Sequence, residues 1–238
     1  MSSRKGRKNA AQVVRAQIAR EKRRTRTIWT SVAAVVVLVI AGLIGWSVYR
    51  GEKSKTFTAP PGASADGTGI LDGNGPVTID LYEDYQCPAC KQFQQVSGAT
   101  IDQLVREYKV RVVFHPVAFL NRFSTTQYST RSSAAAGCAA KGAKFKEFTN
   151  ELFAKQPPEN SAGLSDSELV DIGVGVGLDR DDFSACLKNG TFKAWTAHVT
   201  DEASKAGVVG TPTIKVNGKD VEDRSPEGIK AAVAAAGK

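Results

Sequence analysis

The feature that most constrains this chain is a pair of cysteines, Cys87-Pro88-Ala89-Cys90, at a change of periodicity. A β-favouring run, Val77 to Tyr82, leads into a turn, and a helical pattern comes after it. Cys90, Phe93, Ile101, Leu104, Val105 and Tyr108 fall roughly on one face of that helix. The first turn of a helix has amide N–H groups without partners and carries the positive end of the dipole. Both favour a thiolate at Cys87, the form that attacks disulfides. Pro88 opens the helix without losing an N–H. Cys90, three positions after Cys87, can close onto it as a local, exchangeable disulfide. The competing reading is a structural zinc site. Zinc normally needs four ligands. Cys138 and Cys186 are isolated, and His115 and His198 sit at no metal spacing. A lone C-x-x-C at a strand–helix boundary reads instead as a redox motif.

The net charge of +8 suggests nucleic acid until it is divided along the chain. Residues 1–55 hold 13 Lys/Arg and 2 Glu; the remainder holds 19 Lys/Arg and 22 Asp/Glu. The basicity belongs to an N-terminal tail, so no nucleic-acid partner is expected. Residues 1–27 read as a cytoplasmic tail under the positive-inside rule. Ile28 to Tyr49 is apolar and uncharged. As a helix it would be roughly 33 Å long, enough to cross the hydrocarbon core. Trp29, Trp46 and Tyr49 stand at its ends, where aromatic rings favour the interface. A cleavable signal peptide is the rival, but no A-x-A pattern stands beside the span, and a retained anchor is expected. Residues 50–75, rich in Gly, Pro, Ser and Thr, read as a flexible linker. Four cysteines fit two disulfides and a compartment outside the cytoplasm.

A folded domain is expected over residues 76–238. Strand Val77–Tyr82, the cysteine helix to about Tyr108, and strand Val110–His115, stopped by Pro116, make a βαβ unit. His115 reads as a strand-end residue without a catalytic partner. A helical block is expected over about 122–194, with helices over Ser129–Lys141 and Lys144–Phe153. A further helix is capped by Ser165 with Glu168 at the capping-box position. Gly173 to Gly177 reads as a helix end, because it lacks the Lys-Ser/Thr of a phosphate loop. Asp179 or Asp181 starts a short helix holding Phe183 and Cys186. Cys138 and Cys186 lie among apolar neighbours, as two buried thiols or, outside the cytoplasm, as a structural disulfide. Thr191–Ala206 is helical, with Trp195 and Val199 in the core and His198 exposed. Val208–Val216 is a turn entering a strand, and Asn217-Gly218 is a hairpin turn signal. Val221 lies in a short edge strand. Ser225 and Pro226 open a last helix through Ala236.

Over about residues 74–238 the chain resembles the thioredoxin superfamily, in particular DsbA-like proteins with a helical domain inserted into an α/β thioredoxin fold. The resemblance rests on Asp84-Tyr85-Gln86-Cys87-Pro88-Ala89-Cys90 and Gly210-Thr211-Pro212-Thr213. Cys138 near Phe145 and Leu152-Phe153, and Gly177-Leu178-Asp179 before Cys186-Leu187, add to it. It implies that Cys87 is the exposed nucleophile and Cys90 the resolving thiol. It implies a cis Thr211–Pro212 bond facing them, with Thr211 and Pro212 binding substrate in β-strand fashion. The sequence departs from the pattern at two places. Leu81 stands where many relatives have a buried acid, with Asp80, Glu83 and Asp84 nearby but offset. Ala89 stands where a strongly oxidising relative has His, which points to a less oxidising couple. With the N-terminal anchor, the resemblance is to membrane-tethered oxidoreductases that act outside the cytoplasm on exported cysteine-containing proteins. It implies reoxidation by a DsbB-like or vitamin K epoxide reductase-like membrane protein, and no cofactor. The rival activities are a disulfide reductase or isomerase, and a tethered metal-binding or adhesive module.

Overall fold

The structure, a computed structural model, describes residues 57–237. The expected tail, the expected membrane span at 28–49 and the start of the linker lie outside the described residues. Among those described, no helix is long and apolar enough to cross a membrane.

Strand β2 (Val77–Glu83) is the centre of a five-stranded sheet, whose strands lie in the order β1 (Ile70–Gly73), β3 (Val110–Pro116), β2, β4 (Thr213–Val216) and β5 (Lys219–Asp220). It pairs in parallel with β3 (Val110–Pro116), from Val77 opposite Val110 to Glu83 opposite Pro116. On its other side it pairs antiparallel with β4 (Thr213–Val216), Ile79 opposite Val216 and Tyr82 opposite Thr213. Ile79, Leu81, Val110, Val112 and Ile214 are buried, as the apolar runs of strands in mid-sheet require. Asn217 and Gly218 turn the chain at φ 46° and 77° into the two-residue β5 (Lys219–Asp220). β5 ends just before Val221, so the edge strand is shorter than expected and leaves that residue out.

Two parts of the thioredoxin-like half differ from the sequence reading. Residues 57–75 are not all linker. They contain β1 (Ile70–Gly73), antiparallel to β3 with Ile70 opposite Phe114. Gly75 lets the chain press against β3, since a Cβ there would lie 2.2 Å from the Val110 nitrogen. Trp195 Nε1 donates to the Gly67 carbonyl at 2.8 Å, and Phe57 stacks on the half-buried His198 at 4.1 Å. These are long-range contacts, invisible to local composition. The second difference is in the cysteine helix. It begins as α1 (Pro88–Phe93), widens into a π-turn at Gln94–Gly98 and continues as α2 (Ala99–Arg106). It ends before Tyr108, which adopts φ 56°, is 72% exposed and leaves the apolar face.

The inserted helices are α3 (Tyr128–Lys141), α4 (Phe145–Ala154), α5 (Asp166–Gly175) and α6 (Arg180–Lys188). The long α7 (Lys193–Lys205) returns the chain to β3, and α8 (Pro226–Ala236) closes the domain against α2. Residues from Ser132 to Ala140 on α3 are buried, and α3 touches α4, α6 and α7. A disulfide joins Cys138 on α3 to Cys186 on α6, 48 residues apart with Cα atoms 6.0 Å apart. Local sequence chemistry starts several helices. Ser165 and Glu168 form both arms of a capping box. Asp179 accepts from the Asp182 N–H at 2.9 Å, and Ser225 from that of Gly228 at 3.1 Å.

Candidate active site

Cys87 is the N-cap of α1, with Pro88 at its first position. Both Cys87 and Cys90 are free thiols. Cys87 is 7% exposed and Cys90 0%, so the expected exposed nucleophile is in fact largely covered. The reason is the turn before β4. Its Thr211 carbonyl lies 3.4 Å from Cys87 Sγ, and Pro212 is buried beside it. The Thr211–Pro212 peptide is cis. The structure therefore brings together four of the expected site residues: Cys87, Cys90, Thr211 and Pro212. The other two, Cys138 and Cys186, stand apart as the disulfide between α3 and α6. Val209, two residues before Thr211, is 98% exposed. It is the most exposed large apolar side chain among the described residues, and its sequence context marks only a turn.

The two thiols have opposite electrostatics. Cys87 is held down to about 6, chiefly because the Cys90 thiol hydrogen-bonds to it. The Thr211 side chain and the Ala89 and Cys90 amides add to that effect, while burial opposes it. Burial pushes Cys90 well above the ordinary thiol value, and its hydrogen bond to Cys87 and the Glu83 charge push the same way.

Two carboxyls beside this helix, Glu83 and Asp84, read in the sequence only as acids offset from the expected position. Glu83, at the end of β2, is 5% exposed. Burial raises it to about 8 against the lowering effects of a Gln94 hydrogen bond and the Lys146 charge. Gln94 Nε2 lies 2.9 and 2.8 Å from the two Glu83 oxygens. Lys146 itself is paired with Asp102 at 2.7 Å and lies 4.6 Å above the Phe114 ring. Asp84 is fully buried and is raised to about 6 by burial, opposed by hydrogen bonds from three donors. Its oxygens accept from Gln86 N at 2.9 Å, Ser129 Oγ at 2.7 Å and Leu120 N at 2.9 Å. The Asp84 carbonyl accepts from Cys87 N at 2.9 Å. From the loop after α4, Gln156 Nε2 donates to the carbonyls of Tyr85 (3.0 Å) and Cys87 (2.9 Å). The insertion thus holds the cysteine turn through Gln156 and Ser129. Both ring nitrogens of His115 are engaged elsewhere: Nδ1 with the Thr68 carbonyl at 2.7 Å, and Nε2 with the Asp80 carboxylate at 3.1 Å. Among the described residues, no cluster of three or more His, Cys, Asp or Glu side chains is arranged to hold a metal ion.

One signal could have found Glu83. Side chains alternate across a strand, so Leu81 and Glu83 share a face of β2. An acid missing at Leu81 and present at Glu83 is displaced by one pleat toward the cysteines, not turned to the other face.

Comparison with known proteins agrees with this geometry. The Mycobacterium tuberculosis serine/threonine-protein kinase PknE is 29% identical over 160 residues, which cover 63% of this chain. The match spans only 28% of that kinase's length. The probable disulfide bond formation protein D of Bacillus cereus is 24% identical over 79% of this chain and 86% of its own length. Among solved structures, oxidised DsbA of M. tuberculosis superposes with a TM-score of 0.60 at 29% identity, over 76% of this chain and 89% of that one. BdbD of Bacillus subtilis, at 23% identity over 75% of this chain and 97% of its own, shares the fold with a TM-score of 0.64. Residues 67–235, from just before β1 into α8, match the thioredoxin family, and the chain belongs to it.

Proposed function

We propose that the protein is a DsbA-type thiol–disulfide oxidoreductase that introduces disulfides into exported proteins. The observation that carries this reading is the unequal cysteine pair: a stabilised thiolate at Cys87 beside a buried, proton-retaining Cys90. In the oxidised enzyme a substrate thiolate attacks Cys87 Sγ. The Cys87–Cys90 bond breaks, a mixed disulfide forms on Cys87, and Cys90 leaves with the electron pair. We assign the proton that Cys90 then takes up to Glu83, the buried acid whose charge acts on Cys90. A second substrate thiolate then attacks the substrate sulfur of the mixed disulfide. Cys87 departs as the thiolate it prefers to be, the substrate is oxidised, and the enzyme holds the two electrons. Thr211 beside Cys87 and the exposed Val209 form the edge on which the substrate chain rests.

The pair also bears on direction. A thiol titrating at about 6 rather than 9.0 favours the reduced enzyme. At pH 7 this amounts to about 1.4 kcal/mol, or about 30 mV for a two-electron couple. It acts in the oxidising sense despite Ala89. The names of the M. tuberculosis DsbA and B. cereus relatives support the same direction. Anchoring through residues 28–49, with the catalytic domain outside, supplies access to exported chains and to a membrane reoxidase. Protease added outside intact cells should then digest the catalytic domain and spare residues 1–27.

The test of direction is the Cys87–Cys90 reduction potential, measured against glutathione. An oxidase is expected above roughly −200 mV, and a value near about −270 mV, typical of thioredoxin, would favour the reductase reading. The oxidised protein should also restore activity to a reduced, unfolded disulfide protein.

A further inference from the structure

The π-turn between α1 and α2 holds one arrangement that the exchange chemistry above does not explain. A π-turn places one extra residue in a helical turn and rotates the helix beyond it, and such turns concentrate at functional sites. Here it spans Gln94–Gly98. Gln94, half-buried, reaches back to β2 and sets its amide nitrogen against both Glu83 oxygens. Ser97 Oγ, in the same turn, donates to the Arg224 carbonyl at 2.6 Å and fixes the turn to the segment before α8. Gly98 leaves the space that Gln94 occupies: a Cβ on Gly98 would stand 2.7 Å from Gln94 Oε1. Gly98 has an ordinary helical backbone, φ −56° and ψ −45°, so the glycine answers to this contact and not to strain.

The chemistry of the partner matters. A cation in contact with Glu83 would fix it as a carboxylate. The nearby cation, Lys146, is drawn to Asp102 instead. Gln94 is neutral and two-sided: its N–H groups suit a carboxylate, and after an amide flip its Oε1 accepts from a carboxylic acid. It can therefore follow Glu83 through a full proton cycle. The other titratable or charged groups acting on Glu83 or lining its surroundings are Cys87 and Cys90 from the start of α1, Tyr85 from the turn before it, His115 from β3 and Lys146 from α4.

We propose that Gln94, aimed by the π-turn and given room by Gly98, is a positioning residue that sets the proton affinity of Glu83 and so the proton supply to Cys90. The proposal rests on the exchange mechanism above, but its first test does not use exchange. On the full chain, the Glu83 carboxyl carbon is followed by 13C NMR across pH, its signal assigned by its loss in Glu83→Gln. Gln94→Leu should move the Glu83 midpoint up by about one pH unit, a tenfold gain in proton affinity. Gln94→Lys should move it down. Gly98→Ala should shift it in the same direction as Gln94→Leu and have no further effect in the Gln94→Leu background. The second test is the pH profile of dithiol-peptide oxidation, whose Glu83-dependent limb should move by the same amounts. A Glu83 midpoint unchanged in Gln94→Leu and in Gly98→Ala overturns the proposal. Wild-type protein that oxidises no dithiol peptide overturns the exchange reading and leaves the NMR result to stand or fall separately.

Discussion

Replacing Glu83 with Gln removes a buried acid that the native reduced protein holds with its proton on. Glu83 moves from 4.5 in a solvated chain to about 8 in the fold. Below pH 4.5 both states are protonated and the acid costs nothing. Between pH 4.5 and 8 the unfolded chain releases the proton and the folded one keeps it. Native stability therefore falls as pH rises through that window and levels off above it. A difference of about 3.5 units corresponds to roughly 5 kcal/mol at about 1.36 kcal/mol per unit. Gln at the same place has no proton to lose, and Gln94 can flip its amide to meet it. The expected outcome is a stability difference, variant minus wild type, that grows by several kcal/mol from pH 4.5 to 8 and is flat beyond. Urea unfolding of both proteins in the reduced state, at half-unit pH steps, measures it. The same substitution should slow substrate oxidation near neutral pH, a trade of activity for stability. Parallel stability profiles for the two proteins would refute the claim that Glu83 is buried with its proton.

Removing the Cys138–Cys186 bridge by a double Cys→Ala change should cost about 4 kcal/mol in urea unfolding, from the entropy of opening a loop of 48 residues. A loss under about 1 kcal/mol would deny it a structural role. Mild reductant followed by alkylation and peptide mapping should label Cys87 before Cys138 or Cys186; the reverse order would contradict the assigned roles. Val209→Asp should raise KM for thiol substrates with apolar flanks by roughly five- to thirtyfold, about 1–2 kcal/mol of lost apolar contact, with kcat nearly unchanged. An unchanged KM would remove Val209 from the docking edge. Ser165→Ala should destabilise the protein by about 1 kcal/mol through loss of the capping box, without altering exchange.

The features legible in the sequence were local. The strand before Cys87, Pro88 at the helix start, the caps at Ser165, Asp179 and Ser225, and the Asn217-Gly218 turn are each written in neighbouring residues. Thr211-Pro212 became interpretable only through its resemblance to known folds, because nothing local says that it lies over Cys87. β1 was hidden because Ile70 and Leu71 stand in a Gly-rich stretch, and only β3 completes their hydrogen bonding. The π-turn left no periodic mark, since the apolar positions on either side of it still fit a helix when counted loosely. Glu83 was visible as a residue but not as a site. Its burial comes from β2 running under Gln94 and close to Lys146, contacts made across 11 and 63 positions of sequence. The resemblance places Thr211–Pro212 opposite the cysteines, but that the Thr211 carbonyl covers Cys87 is not legible locally, because it comes from 124 residues away.

The central claim is that Cys87 is the sulfur that bonds to substrate, with Cys90 as its internal partner, and trapping of substrate tests it most directly. In Cys90→Ala the mixed disulfide on Cys87 loses its escape route through attack by Cys90 and waits on a second substrate thiol. Mass spectrometry of alkylated protein should then find substrate peptides linked through Cys87, accumulating above wild-type levels. Cys87→Ala should trap none. Substrate linked mainly through Cys90 in Cys87→Ala, or no adduct on Cys87 in Cys90→Ala, would contradict the account.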